Sequence, residues 1–548
     1  MLDLTAILFL ASISIVYAVY TITWLCWYIW KDKSGIVIVD TEDVLFSGGP
    51  KYIRNVMFLG IAVSQLFSPC LMNEHFISSG LSTVMVLISR IVALGISVIF
   101  FNHLATLRFR NVEEYLLKRF DSRVLFILHL FNRMVGIYYL WHVYLYSYDT
   151  FHLFNLTSSL EFMFVMIAFG SLSALGGMNV ILVGCAILWF LETVGQSFLF
   201  STAYPNMFRN TSIFTFSPDP CYSQYGLNYF LIILCQILSV QPAYTLFQAA
   251  NNTRQANIAM LVGVLLLTMK TVLYACSANG LLDYANKHEL HFRDSIHGQY
   301  NLLFEQPHLF HLRRQKHQKA EHVHSVASIS FPHFFTLFSV FGCNTIAYYL
   351  LQTQTLAMHT YLHILPNWLR SGLISDGREL HMTFSCLYLF CAYLTVVFFV
   401  YPHHIIPPKL LHAVDYHLFK PFLSSMMYMP VISFVLLGPL CPDFWSIPAI
   451  IVSFSTFISG AIFVSQNNPK FDSCVDRWLP TLLFVPAFLI SLLLSWILRA
   501  PRFLPNSLLF KHHMSLRRRT ERTRSLSILT DGPIIRPARS SFRIGGPS

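Results

Sequence analysis

The chain has 548 residues, of which 55% are apolar and 11% charged, with a formal net charge of +11. Soluble domains carry roughly 25% charged residues, so this composition excludes a soluble globular protein and predicts a polytopic membrane protein. The basic excess lies in short loops and the C-terminal tail with no basic–aromatic module, so positive loops on the cytoplasmic side are expected and no nucleic-acid partner.

Thirteen apolar stretches approach the roughly 20 residues that a helix needs to cross the bilayer. They fall near 4–29, 54–72, 78–104, 123–147, 159–176, 179–202, 225–247, 256–282, 329–352, 379–402, 422–440, 443–465 and 479–498. The first is too long for a signal-peptide core and no Lys or Arg precedes it, so it is expected to stay as an uncleaved helix. Asp3 on one side and Lys31 and Lys33 on the other place the N-terminus outside and the next loop inside.

The loop 107–123, "LRFRNVEEYLLKRFDSR", is then cytoplasmic. The glycosylation acceptor patterns at Asn155 and Asn210 fall outside, and a third, at Asn251, falls inside and is expected to be unused. Between 159–176 and 179–202 the pair Gly176–Gly177 predicts a tight turn joining two antiparallel helices. The second of these carries Glu192 in mid-helix. A charge at bilayer depth costs roughly 2.5–3.5 kcal/mol on insertion scales, which marks Glu192 as a cavity or proton-handling candidate.

The loop 283–328 is histidine-rich, with eight histidines from His288 to His324, but "HELH" and "HVH" match no ligand spacing of a metal site. Its basic "HLRRQKHQK" stands on the predicted outside, in tension with the charge rule, which binds long loops weakly. Thirteen crossings put the C-terminus inside, in agreement with the basic tail "KHHMSLRRRTERTRSLSILTD" from Lys511. The eleven cysteines are scattered, most of them within apolar runs, with no CxxC pair, and read as small buried hydrophobes. No nucleophile–base arrangement, phosphate loop or paired-carboxylate spacing stands out, so no enzyme activity is expected.

Several stretches, in order, resemble the sodium–solute symporter family. "FSGGPKYIRNVMFLGIAVSQLFSPCLMNEHFISSG" is similar to its first core helix, from Gly48 and Gly49 to Glu74 and Gly80. "RNVEEYLLKRF" (Arg110 to Phe120) resembles its cytoplasmic "PEYL-x-x-RF" segment, and "ALGGMNV" its Gly-Gly turn between the fourth and fifth core helices. "QPAYTLFQAANNTRQAN" (Gln241 to Asn257) is similar to the stretch with "NQxQxQR" and a later "xxRQAR". The similarity covers roughly 45–285, and beyond that rests on helix count.

The resemblance implies two inverted five-helix repeats whose broken helices meet at a midplane site. It divides the chain into an extra N-terminal helix (1–44), the first repeat with the start of the second (45–248), the rest of the second repeat (249–465), a last peripheral helix (466–500) and a basic disordered tail (501–548). It implies a secondary transporter in the plasma membrane, moving a small organic or inorganic solute by alternating access with Na⁺ as coupling ion and no other cofactor. Solute, sodium and the lipid bilayer are then the partners.

Pro69 breaks the first core helix, because it gives no N–H and clashes with the preceding turn. Carbonyls freed at such a break can coordinate an ion where the backbone lines a cavity. The ion-binding candidates are Ser64, Ser68 and Ser339. The candidates for substrate or pathway are Gln65, Glu74, Glu192 and Gln241. The second ion-ligand helix lies in 329–352 or in "HMTFSCLY", His381 to Tyr388.

The chain departs from the family where ion coupling is built. The family's Lys after the Gly-Gly turn is Asn179 here, and its Thr-Asp pair falls on Gly184 and Cys185. Of "NQxQxQR" only Gln241 survives, with Val240, Ala243, Thr245 and Leu246 at the other places, while the later Arg persists as Arg254. A relative that has lost sodium coupling, as an uncoupled or proton-coupled carrier, or a transport-dead receptor or scaffold, are the alternatives.

Overall fold

The computed structural model describes residues 4–34, 45, 54–66, 83–106, 159–203, 230, 234, 241–250, 253–287, 335, 338–361, 377–400, 489 and 493. These form α1 (Leu4–Ser34), α2 (Arg54–Leu66), α3 (Thr83–Thr106), α4 (Ser159–Ala203), α5 (Gln241–Gln248) and α6 (Thr253–Lys287). A π-helical turn (Phe338–Gly342) then runs into α7 (Cys343–His359), and α8 (Gly377–Val400) follows. Among the described residues there is no strand.

Four of these helices are long and apolar enough to cross a bilayer, within Ile7–Trp30, Phe164–Phe198, Thr253–Tyr274 and Leu380–Val397. Their outward residues are apolar: Leu8, Ile15 and Val19 on α1, Leu261 and Leu265 on α6, and Met382, Phe390 and Tyr393 on α8 are all exposed. Polar and charged side chains, among them Gln65, Arg90, Glu192 and Lys270, are buried. Apolar residues outside and charges inside suit lipid as the surrounding solvent. The chain is an all-helical polytopic membrane protein. The segments expected at 123–147, 422–440 and 443–465 lie outside the described residues, as do the histidines of the 283–328 loop. Helix α6 runs five residues past the expected end at 282, to Lys287.

Helix α4 contains both helices expected around the glycine pair, and it reverses at Gly177. That residue has φ 64° and ψ −157°, angles that cost a residue with a Cβ but not glycine. The reversal follows from Tyr17 of α1, which reaches both limbs. Its ring stacks on Phe169 at 4.5 Å between centroids, and a Cβ at Gly184 would lie 2.9 Å from its Cε2. On a straight helix those two positions would be about 22 Å apart. One ring can touch both only if 159–176 and 178–203 fold back as a hairpin.

The hairpin is held from two sides. The Tyr17 hydroxyl exchanges a 2.7 Å hydrogen bond with Ser173 Oγ and lies 3.1 Å from the Val180 carbonyl. From the other side, Ser385 Oγ of α8 donates to the Ala174 carbonyl at 2.7 Å. Helices α2 and α6 pack closely against each other. A Cβ at Gly60 would fall 2.6 Å from Val262 Cγ1, and one at Gly263 would fall 2.7 Å from Val63 Cγ1. Small residues let helix backbones approach where dispersion, not a hydrophobic drive, holds helices together in lipid. This contact fixes the end of α2 against α6, where the buried charges meet.

Candidate functional site

Helix α2 ends at Leu66. In a continuing helix the Gln65 carbonyl would accept from the N–H of residue 69, but residue 69 is proline and has none. The orphaned carbonyl finds a substitute across the fold: Asn344 Nδ2, in the first turn of α7, donates to it at 3.1 Å. The same amide donates to the Gln65 side-chain Oε1 at 3.2 Å. A buried carbonyl without a donor costs about 1–3 kcal/mol, and Asn344 supplies the donor that a proline at position 69 cannot.

Gln65 also faces charge. Lys270 Nζ of α6 lies 3.5 Å from its Oε1 and 2.6 Å from Glu192 Oε2 on the second limb of the α4 hairpin. Because the ammonium has only donors to offer, the oxygen and not the nitrogen of Gln65 must point at it. That leaves Gln65 Nε2 buried without a partner among the described residues. One helical turn after Lys270, the Tyr274 hydroxyl donates to the other carboxylate oxygen, Oε1, at 3.3 Å. Residues four apart share a helix face, so α6 grips both oxygens of Glu192 from one side. Beside them, Arg90 of α3 donates to the Thr271 hydroxyl at 3.3 Å.

Glu192 is fully buried and Lys270 is 3% exposed. An isolated charge there would be costly, whereas a hydrogen-bonded pair offsets much of its desolvation. Such a pair contributes little net stability, since apolar residues of similar volume often serve as well or better. Intramembrane ionisable residues mark ion, proton and substrate pathways. Glu192, Lys270, Tyr274, Gln65 and Asn344 form the candidate site, on four helices that converge at the last turn of α2.

The expected site residues divide accordingly. Gln65 and Glu192 are brought together through Lys270. Ser64 is buried, but its hydroxyl is taken by the Ile61 carbonyl at 2.7 Å, within its own helix. Ser339 is buried in the π-helical turn and its hydroxyl has no partner among the described residues. A π-turn frequently accompanies a functional site, and Ser339 lies five residues before Asn344. Gln241 opens α5. Ser68, Glu74, Asn155 and Asn210 lie outside the described residues. Lys270, Tyr274 and Asn344 are additions to the expected set. Lys270 had a visible signal, a lone cation in the apolar run "VLLLTMKTVLYAC".

The sequence departures have structural counterparts. Gly184 faces the Tyr17 ring, and Asn179 Nδ2 donates to the Tyr20 hydroxyl of α1 at 3.4 Å. Cys185 is fully buried. Among the described residues no three His, Cys, Asp or Glu side chains group as metal ligands.

The fold is shared with a Na⁺-coupled sialic acid symporter solved in a substrate-bound outward-open state. The TM-score is 0.59 at 12% identity, over 88% of this chain and 98% of that one. A manganese transporter from Eremococcus coleocola also matches, with TM-score 0.46, 14% identity and coverage of 82% and 95%. So does MhsT in complex with L-phenylalanine, with TM-score 0.40, 13% identity and coverage of 81% and 98%. No protein-family model matches the chain, and no curated protein matches it significantly. The first likeness gives the fold that the sodium–solute symporter resemblance implied. The family itself stays a resemblance.

Proposed function

We propose that this chain is a secondary transporter that carries a small solute by alternating access around the break of α2, with no sodium ion bound at that break. The observation that carries the reading is the buried Lys270–Glu192 pair, 2.6 Å apart, placed against the last turn of α2 through Gln65. A fixed ammonium beside the break repels a second cation at short range in a low-dielectric interior. Ser64, one of the expected sodium ligands, spends its hydroxyl on its own helix. The positions where the resemblance puts the family's Lys and Thr are Asn179 and Gly184, and both face tyrosines of α1. These observations favour the uncoupled or proton-coupled alternative over sodium coupling.

One observation supports a second reading, in which sodium still binds. Ser339 keeps a buried hydroxyl without a partner among the described residues, on the π-helical turn, and could serve as one oxygen ligand of an ion held away from Lys270. The plasma membrane, an outside N-terminus and a cytoplasmic C-terminus complete the proposal, supported by the lysines after α1 and the basic tail.

The test is solute uptake into vesicles containing the purified protein, over a panel of small organic and inorganic solutes, with sodium replaced by choline. Saturable uptake or counterflow that is unchanged in choline is the expected result. Uptake that requires sodium, and that Ser339→Ala weakens, would establish the second reading. A panel in which no solute moves under any gradient would overturn the transporter proposal.

A further inference from the structure

We propose that the second half of α7 is the wall of a water-filled passage running from the candidate site toward the membrane face at which α2 begins. The inference deepens the transporter reading and rests on it for the traffic through the passage, but the hydration of the wall is testable without any solute.

Helix α7 changes character half-way along. From Ile346 to Leu351 its residues are aliphatic or aromatic, and then come Gln352, Thr353, Gln354 and Thr355. All ten are buried. Successive residues of a helix point about 100° apart, so the four polar side chains leave α7 on every side at one depth. Their oxygens are not used up in packing. Thr355 Oγ1 donates back to the Leu351 carbonyl at 2.9 Å, as a threonine in a helix readily does. Thr353 has the same option one turn back and does not take it: its hydroxyl, fully buried, has no partner among the described residues. Gln354 Nε2 donates to the Leu45 carbonyl at 2.7 Å, so the oxygen is the end of that amide left over, and Oε1 has no partner among the described residues either. Gln352 Oε1 is a third such atom. At bilayer depth a polar atom without a partner is unfavourable, and ordered water is what satisfies such atoms in protein interiors. Three of them on consecutive residues make a belt that meets water.

The place of the belt gives the passage its direction. Asn344, in the first turn of α7, meets Gln65 in the last turn of α2, whereas Gln354 meets Leu45, which precedes α2. The two helices therefore run in opposite directions, and residues 352–354 lie about 12–15 Å from Asn344 along α7, beside the start of α2. Asn344 and Gln65 belong to the candidate site, so the belt continues that site toward one membrane face, the cytoplasmic one on the topology proposed above. Its chemistry also selects what passes. The atoms left over are two amide oxygens, which only accept, and one hydroxyl. Arg90, Glu192 and Lys270, the buried charges among the described residues, gather at the other end, around Lys270. Such a wall suits water and the O–H and N–H groups of a neutral solute, and it gives an anion one donor and no cation.

The experiment is thiol labelling of the full-length protein in lipid nanodiscs with a positively charged, membrane-impermeant methanethiosulfonate, read peptide by peptide by mass spectrometry. Thr353→Cys puts a thiol of similar volume into the belt. The native Cys185, fully buried at the scaffold end of α4, is the dry reference in the same molecule, and its protection reports that the variant is folded. Thr353→Cys is expected to react about tenfold faster than Cys185 or more, because a thiol reacts as its thiolate and water must reach it. If loss of Cys185 protection shows that Thr353→Cys does not fold, Gln352→Cys takes its place with the same expectation. In vesicles, the adduct on the belt is expected to abolish solute uptake. Labelling no faster than at Cys185 in folded protein would overturn the proposal, and so would fast labelling that leaves uptake intact. Uptake by a protein whose belt does not label would remove this inference alone. Fast labelling in a chain that moves no solute would keep the hydrated wall and remove the carrier reading.

Discussion

The two ends of one helix-forming segment, α4, solve the problem of burial in opposite ways. Around its turn, from Ser173 to Gly184, the polar contacts are neutral: a tyrosine hydroxyl, two serine hydroxyls and two main-chain carbonyls make them. Eight residues past Gly184, the same limb places a full negative charge on Glu192 and answers it with Lys270 from another helix. The first arrangement holds the hairpin to α1 and α8 and is expected to stay in place. The second joins the hairpin to α6 and, through Lys270, to the last turn of α2 by charged contacts. Neutral hydroxyl pairing makes a scaffold here, and the ion pair makes a contact that fails when either member is removed alone.

The largest break in that comparison should come from removing one member of the ion pair. Lys270→Met removes the buried counter-charge of Glu192 and is expected to cost about 3–5 kcal/mol, seen as a strongly lowered unfolding temperature of the solubilised protein. At the turn, Gly177→Val forces a β-branched residue to φ 64°, a conformation that costs roughly 1–2 kcal/mol on Cβ sterics alone. The same unfolding measurement should show a smaller loss than for Lys270→Met. Asn344→Ala strips the orphaned Gln65 carbonyl of its donor and should cost about 1–3 kcal/mol. It should also alter transport, whereas Tyr17→Phe, of similar cost in stability, should leave transport unchanged because it touches only the scaffold end. The smallest effect is expected for Ser64→Ala, whose hydroxyl merely back-bonds within α2. A change beyond about 0.5 kcal/mol, or any change in ion dependence, would restore Ser64 as an ion ligand.

Much of the scaffold is legible in the sequence because it depends on local chemistry. Gly176–Gly177 between two apolar runs gives the hairpin, since only the turn residue must take a positive φ, while Pro69 lies outside the described residues. The apolar period gives α1, α3, α6 and α8 to within a few residues at most ends. The site is legible only by halves. Glu192 stands out as an acid in an apolar run, but its partner is 78 residues away. Which face of α6 turns toward α4 depends on helix rotation and on the Gly60–Val262 and Gly263–Val63 contacts, which no local pattern encodes. Lys270 carries the same signal as Glu192, a lone charge at spanning depth, and pairing the two needed only the rule that buried charges seek opposites. Asn344 carries no signal, because an asparagine in a helix interior reads the same whether it faces a neighbour's carbonyl or nothing. Serines 64 and 339 look alike in sequence. The difference between them, one hydroxyl back-bonded and one without a partner among the described residues, exists only in three dimensions.

The central claim is that Glu192 and Lys270 act as one unit, and a double-mutant cycle on unfolding free energy tests it most directly. The account predicts that Glu192→Gln and Lys270→Met each destabilise the protein, Lys270→Met by about 3–5 kcal/mol, and that the double variant returns to within about 1 kcal/mol of the wild type, because no unpaired charge remains. Additive losses, with the double variant the least stable of the four, would contradict it.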